Sequence, residues 1–327
     1  MRSEDQLNQA NQMDQANQKE TQAAFRWEPR PEHQKRIRLL ILFFSGTGNT
    51  QFVAEYLRDR VLESCAHERL EVVLSALEWS TPDITEHYDL VCIGFPVYEG
   101  RAPRIVREHI DRFPEVSNKG AFVFNTKGLA QGRANRSIAR MLEKKGFRPL
   151  GSASLVMPAS DGISMFMKKD SKKFQEFLQR DFKSLPKADA LAARISGAVQ
   201  HLVSGRSVTT LARDAAFTPI GFLLTGFFRL LYSAFGESAA RKLRATERCS
   251  ACGLCARFCP TQNISIADGE VAFDDACVFC LRCVNNCPEE AVQMGKLSVG
   301  KARWHGPLGQ YRPLRYRSPK VFEPANT

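Results

Sequence analysis

Eight of the ten cysteines in this 327-residue chain fall into two copies of one spacing, and each copy closes in Cys-Pro. The first copy is Cys249, Cys252, Cys255 and Cys259-Pro260, and the second is Cys277, Cys280, Cys283 and Cys287-Pro288. Cysteines at such short intervals let one looping segment curl around the corner of a cube, with its amides turned toward sulfur. Zinc also takes Cys-x2-Cys, but usually as two separated pairs rather than runs of four ending in proline. Disulfides need an oxidising compartment. Residues 1–35 are rich in Gln and Asn and lack an apolar core or twin arginine, so no export signal is expected there. The expected chemistry is single-electron transfer on iron–sulfur cubanes.

The doubled run resembles that of bacterial two-cluster ferredoxins, where the fourth cysteine of each run ligates the other cluster. The resemblance implies two [4Fe-4S] clusters. One would be held by Cys249, Cys252, Cys255 and Cys287, the other by Cys277, Cys280, Cys283 and Cys259. Between the runs, Ile264–Ile266 and Val271–Phe273 alternate around Asp268-Gly269, which predicts a hairpin with a short turn.

The N-terminal half reads differently. Ile37–Phe44 is an apolar run of strand length with almost no alternation, as expected of a central strand covered on both faces. Strands are also expected over 70–77, 88–95, 120–125 and 149–157, with helices near 102–113 and 131–145 separating them. Alternating strand and helix predicts an α/β, doubly wound parallel sheet. The first strand runs into Ser45-Gly46-Thr47-Gly48-Asn49-Thr50 and then a helical pattern. Glycines let backbone approach an anion, helix-end amides point at it, and three hydroxyls can donate to phosphate oxygens. No Gly-Lys-Ser/Thr follows, and Gln51 stands where a dinucleotide fingerprint needs its third glycine. A phosphate held by neutral donors remains. Cys65 and Cys92 are expected to be packing residues.

This loop resembles the phosphate loop of flavodoxins, and the resemblance extends over residues 36–200. It implies the sheet order 2-1-3-4-5, with flavin mononucleotide (FMN) at the switch point between the first and third strands. By the same resemblance Pro96, Val97 and Tyr98 lie beside the flavin ring, with Tyr98 as the stacking side chain. Asn125, Thr126, Lys127 and Gly128 would close over its other side. With the ferredoxin-like run, the chain resembles the flavodoxin–ferredoxin fusions known as EFR-type ferredoxins. The implied organisation is a disordered lead-in (1–35), a flavodoxin-like FMN-binding domain (36–205), an apolar helical linker (206–245), an α+β bacterial-type ferredoxin domain (246–296) and a basic irregular tail (297–327).

The formal net charge is +11, but that value counts cluster ligands as neutral thiols; two oxidised cubanes and a flavin phosphate lower it to roughly +5. With no recognition-helix or RNA-binding signature, no nucleic-acid partner is expected. Residues 249–295 hold two arginines against six acidic residues, a net of −4, whereas 296–327 hold seven Lys/Arg against Glu323, a net of +6. A solvated tail is expected, with folding over the acidic segment, or docking to an acidic partner or a membrane surface, as the alternatives. Within the linker, 219–235 is an apolar helical pattern opened by Thr218-Pro219 and stopped by Gly236. At roughly 25 Å it falls short of a roughly 30 Å hydrocarbon core, which favours packing between domains over peripheral membrane contact. The leading expectation is a cytoplasmic electron-transfer protein of anaerobic metabolism, exchanging electrons with a redox partner protein. Two readings stay open beside it. One is a flavin-dependent reductase of a small organic substrate or quinone, with Met157–Met167 as pocket lining. The other is a redox sensor that docks a partner according to cluster state.

Overall fold

The structure, a computed structural model, describes residues 36–66, 69–128, 132–205 and 240–324. The lead-in 1–35 and most of the linker, including 219–235, lie outside the described residues. Among those described, no helix is long and apolar enough to cross a membrane.

Five parallel strands form the sheet: β1 (Ile37–Phe43), β2 (Leu70–Ala76), β3 (Leu90–Pro96), β4 (Lys119–Lys127) and β5 (Phe147–Val156). Their order is the expected 2-1-3-4-5. Period-two geometry explains the unbroken apolar run of β1. Leu39, Ile41 and Phe43 face one layer, where helices α1 (Asn49–Ser64) and α6 (Pro186–Val203) supply Val53, Leu57, Leu191 and Ile195. Leu40, Leu42 and Phe44 face the other, where α2 (Arg104–Asp111) and α3 (Ala134–Lys144) supply Val106, Ile110, Ile138 and Leu142. Cys65 and Cys92 are buried in the first layer, as packing residues should be.

After β5 come two short helices, α4 (Ser160–Phe166) and α5 (Lys172–Leu178). The cysteine-rich segment is built on two antiparallel pairs and two one-turn helices. Strand β6 (Leu243–Ala245) pairs with β9 (Val292–Met294), and β7 (Ile264–Ala267) pairs with β8 (Glu270–Phe273). The β7–β8 turn is Asp268-Gly269 with both residues at positive φ, the primed geometry that matches strand twist. Helices α7 (Leu254–Phe258) and α8 (Arg282–Asn286) each begin beside the third cysteine of a run. Helix α4 joins this segment to the sheet: Met165 packs with Leu281 and Val284, and Ser164 Oγ donates to Asn285 Oδ1 at 2.9 Å. Met157–Met167 is therefore an apolar connection that packs the two halves together.

The tail departs from the solvated expectation. It is irregular over most of its length, but it runs back across the sheet domain as a packed strap. Trp304 is 1% exposed, and its indole N–H donates to Asn49 Oδ1 at 2.9 Å. Tyr316 lies edge-on to Phe43 at 5.4 Å and donates to Glu55 at 2.9 Å. The Arg317 guanidinium stands 5.3 Å over the Trp79 ring. Finally Lys320–Phe322 forms β10, antiparallel to β2, with Val321 opposite Val73, so the six-stranded order is 10-2-1-3-4-5. Aromatics spaced among the basic residues gave the strap something to bury, which a count of charges does not register. Replacing Trp304 by Ala should cost about 3–5 kcal/mol in a denaturant melt of the whole chain; a change within about 0.5 kcal/mol would mean that the strap does not anchor the fold.

Candidate functional site

The eight motif cysteines ring two hollows. Cys249, Cys252, Cys255 and Cys287 line one; Cys259, Cys277, Cys280 and Cys283 line the other. Each hollow thus takes three sulfurs from one run and the last from the other, the exchange expected of the resemblance. The duplication is written in the backbone too. Ala251 and Phe279, Gly253 and Leu281, and Gln262 and Glu290 occupy matching motif positions, and all six have positive φ. The amides of Asn263 and Ala291, four residues beyond Cys259 and Cys287, each donate to that sulfur at 3.2 Å.

Burial pushes the Cys255 thiol up to about 11 and Cys280 up to about 12, and holds Cys283 well above the usual thiol range. Such sulfurs become thiolates only against a strong local positive charge, which bound iron supplies. Among the described residues no three His, Cys, Asp or Glu side chains are grouped to hold one metal ion; the sulfurs surround volumes. Sulfur-only donors around two hollows fit iron–sulfur clusters.

The second hollow lies against the Ser45–Thr50 loop. Gly48, at φ 100°, caps α1, and the amides of Gly48 and Gln51 donate to Ser45 Oγ at 3.1 and 3.2 Å. Thr50 and Thr126 share a hydrogen bond at 2.8 Å, tying α1 to the end of β4. Hydroxyls and amides of this kind suit a phosphate. The chain itself covers them, however. A Cβ built on Gly46 would stand 2.5 Å from the Tyr98 hydroxyl and 2.6 Å from the Cys280 carbonyl oxygen. One built on Gly48 would stand 2.7 Å from Tyr311 Cβ and 2.8 Å from Gly306 Cα. Both glycines permit close approach, and what approaches is the cluster loop and the strap. Asn49 is engaged on both sides of its amide, by Trp304 and by the Pro158 carbonyl at 2.7 Å.

The other expected flavin contacts divide. Pro96 pairs with Thr126 across β3 and β4, and the Val97 amide donates to the Thr126 carbonyl at 2.8 Å, so the two loops lie side by side. Tyr98 is folded onto Gly46, and burial, reinforced by Cys280, holds its hydroxyl well above the ordinary range. Lys127 is half-buried, with its pKa lowered by burial and then by Lys187. Gly128 lies against Ala159. Asn125, fully buried, turns instead into the sheet: it donates to Asn135 at 2.7 Å and accepts from Ser154 at 2.8 Å, a part-buried network that holds β4 to β5.

Four residues outside the expected set complete the site: Arg282, Glu78, Tyr311 and Trp304. Arg282 is 1% exposed. Its Nη2 donates to the Ser45 carbonyl at 2.7 Å and to Glu78 Oε1 at 2.5 Å, and its Nη1 donates to the Phe258 carbonyl at 2.9 Å. Burial works against this charge, but Tyr311, Glu78 and Cys280 outweigh it and hold the guanidinium protonated. Tyr311 donates to the same Ser45 carbonyl at 2.8 Å. One signal for Arg282 was present in sequence: the two runs differ there, with Leu254 at the matching position.

Comparison with known proteins agrees with this division. The flavodoxin domain family matches residues 40–201, and the 4Fe-4S dicluster domain family matches residues 241–288. An uncharacterized protein of Methanocaldococcus jannaschii is 28% identical over 118 residues, covering 35% of this chain and 72% of its own. Among solved structures, two-electron reduced Megasphaera elsdenii flavodoxin aligns at 18% identity over 49% of this chain and 99% of its own, with a TM-score of 0.37. A flavodiiron core from Synechocystis aligns at 14% identity over 60% and 41%, with a TM-score of 0.36. A flavodoxin domain implies FMN, and a 4Fe-4S domain implies iron–sulfur ligation. Tyr311→Ala removes the ring and the hydroxyl that anchor the strap over Gly48, so stopped-flow quenching of flavin fluorescence should show FMN uptake about tenfold faster than in the parent chain, the equivalent of one hydrogen bond and its packing. Equal rates would mean that the strap is no barrier to the loop.

Proposed function

From a chain that joins a flavodoxin domain to a 4Fe-4S dicluster domain, we infer an electron-transfer iron–sulfur flavoprotein that relays electrons between FMN and two [4Fe-4S] clusters. When bound, flavin exchanges one or two electrons and each cubane one, so the pair can divide or collect electron pairs. One observation carries the reading: the Cys280 carbonyl lies against Gly46 while Arg282 of the same cluster loop donates to Ser45. The second cluster loop and the phosphate loop thus share van der Waals contact. Ser45, Thr47, Thr50 and the amides around Gly46 and Gly48 would hold the phosphate. Cys259, Cys277, Cys280 and Cys283 would hold the cluster beside it, with Leu281 and Val284 excluding water.

The other cluster site is placed to meet a partner. Cys252 is exposed, whereas the second set includes no exposed sulfur. We therefore assign the Cys249–Cys255 end to exchange with a redox partner protein, and the cytoplasm, where thiols stay reduced, as the setting. The relay is preferred to a small-molecule or quinone reductase because Met157–Met167 is used in packing the two halves together. The sensor reading draws on no feature of its own.

Protein purified without oxygen should carry about eight iron and eight sulfide per chain, together with FMN. Cys252→Ala and Cys277→Ala should each remove about half of that iron and leave the other half reducible. Photoreduced flavin should bleach the cluster absorbance. Zinc in place of iron, or clusters that stay oxidised beside reduced flavin, would sink the proposal.

A further inference from the structure

We propose that Arg282 is a positioning residue that raises the reduction potential of the cluster held by Cys259, Cys277, Cys280 and Cys283, making that cluster unlike its twin. The inference rests on the relay above. Arg282 lines the second hollow, and its side chain is 2% exposed, with Glu78 at 1%. Its two terminal nitrogens are engaged by Ser45, Glu78 and Phe258. Nε, the nitrogen nearest the backbone, has no hydrogen-bond partner among the described residues although it is buried. It is therefore a spare N–H donor on a residue that lines a sulfur-ringed cavity, and we assign its acceptor to cluster or cysteine sulfur.

The physical effect has a definite sign. Adding an electron makes a cluster more negative, and a fixed cation in a low-dielectric site favours that form more strongly than it would in water. Arg282 raises the potential. Glu78 sits on the same guanidinium and offsets part of that charge, while its second oxygen, Oε2, is buried without a partner. The first run has Leu254 at the corresponding position. Two sites with identical ligands thus receive different surroundings, which separates their potentials and gives the relay an order. Arg303, the other buried arginine near sulfur, acts on Cys287 and Cys283 and is unchanged in the variants below.

The test is an EPR-monitored dithionite titration of the full chain with its clusters in place. Arg282→Gln should lower the midpoint of one cluster by at least about 59 mV, a tenfold change in a one-electron equilibrium, and leave the other unmoved. Glu78→Gln should raise the same midpoint, and Arg282→Lys, which keeps the charge, should restore most of the parent value. A merely structural role predicts no such opposition of sign. If Arg282→Gln loses its cluster, Glu78→Gln decides alone: a rise upholds the inference and an unmoved midpoint overturns it. Midpoints that do not move, or that move in one direction for both variants, overturn it while leaving the relay intact. A parent chain without any cluster signal removes the relay itself.

Discussion

A guanidinium removed from water is tolerable only when its charge and its donors are met by protein, and Arg282 is met from three separate segments. Glu78 follows β2, the Ser45 carbonyl ends the first strand, and Phe258 belongs to the first cysteine run. The Phe44 ring lies 5.6 Å from the guanidinium. Removing one partner of such a pair costs about 3–5 kcal/mol, because the other is left charged and dry. That penalty fixes the docking geometry: any displacement of the dicluster half from the sheet strips the ion pair of its partners. The close approach of Cys280 to Gly46 follows from it, and so does the contact between the cysteine loop and the Ser45–Thr50 loop on which the proposed relay rests.

Legibility in the sequence followed how local each constraint is. The grouping of the eight cysteines was legible to the residue, including the exchange of the last sulfur between the two hollows, because cysteine spacing of this kind is a property of a dozen neighbouring residues. Strand β1 was legible because burial on both faces leaves no polar alternation, and the Asp268-Gly269 turn because only a few residues tolerate paired positive φ. The course of the Asn125 side chain was not legible: at a loop boundary it could face a ligand or the sheet, and Asn135 and Ser154 draw it into the sheet. Arg282 was visible as a break in symmetry between the runs, but its partner Glu78 is about two hundred residues away, and nothing near either residue announces the other.

The tail was the larger miss. Its net positive charge suggested solvent exposure, yet the residues that decide its course are Trp304, Tyr311, Tyr316 and Val321, spread between the charges. Each makes a different kind of contact, so no period emerges for pattern reading to detect. Strand β10 also covers the open edge of β2, which would otherwise present unpaired amides and carbonyls to other chains.

The pairing of Val321 with Val73 joins residues far apart along the polypeptide, and it has a bearing on biogenesis. During synthesis the sheet can collapse as soon as β5 is made, long before the strap exists. For that interval the loop above α1 lacks the cover that Gly306 and Tyr311 later place against Gly48. The last stretch to be made is thus the one that closes over Gly48. Order of synthesis leaves that loop open until the final β-ladder forms.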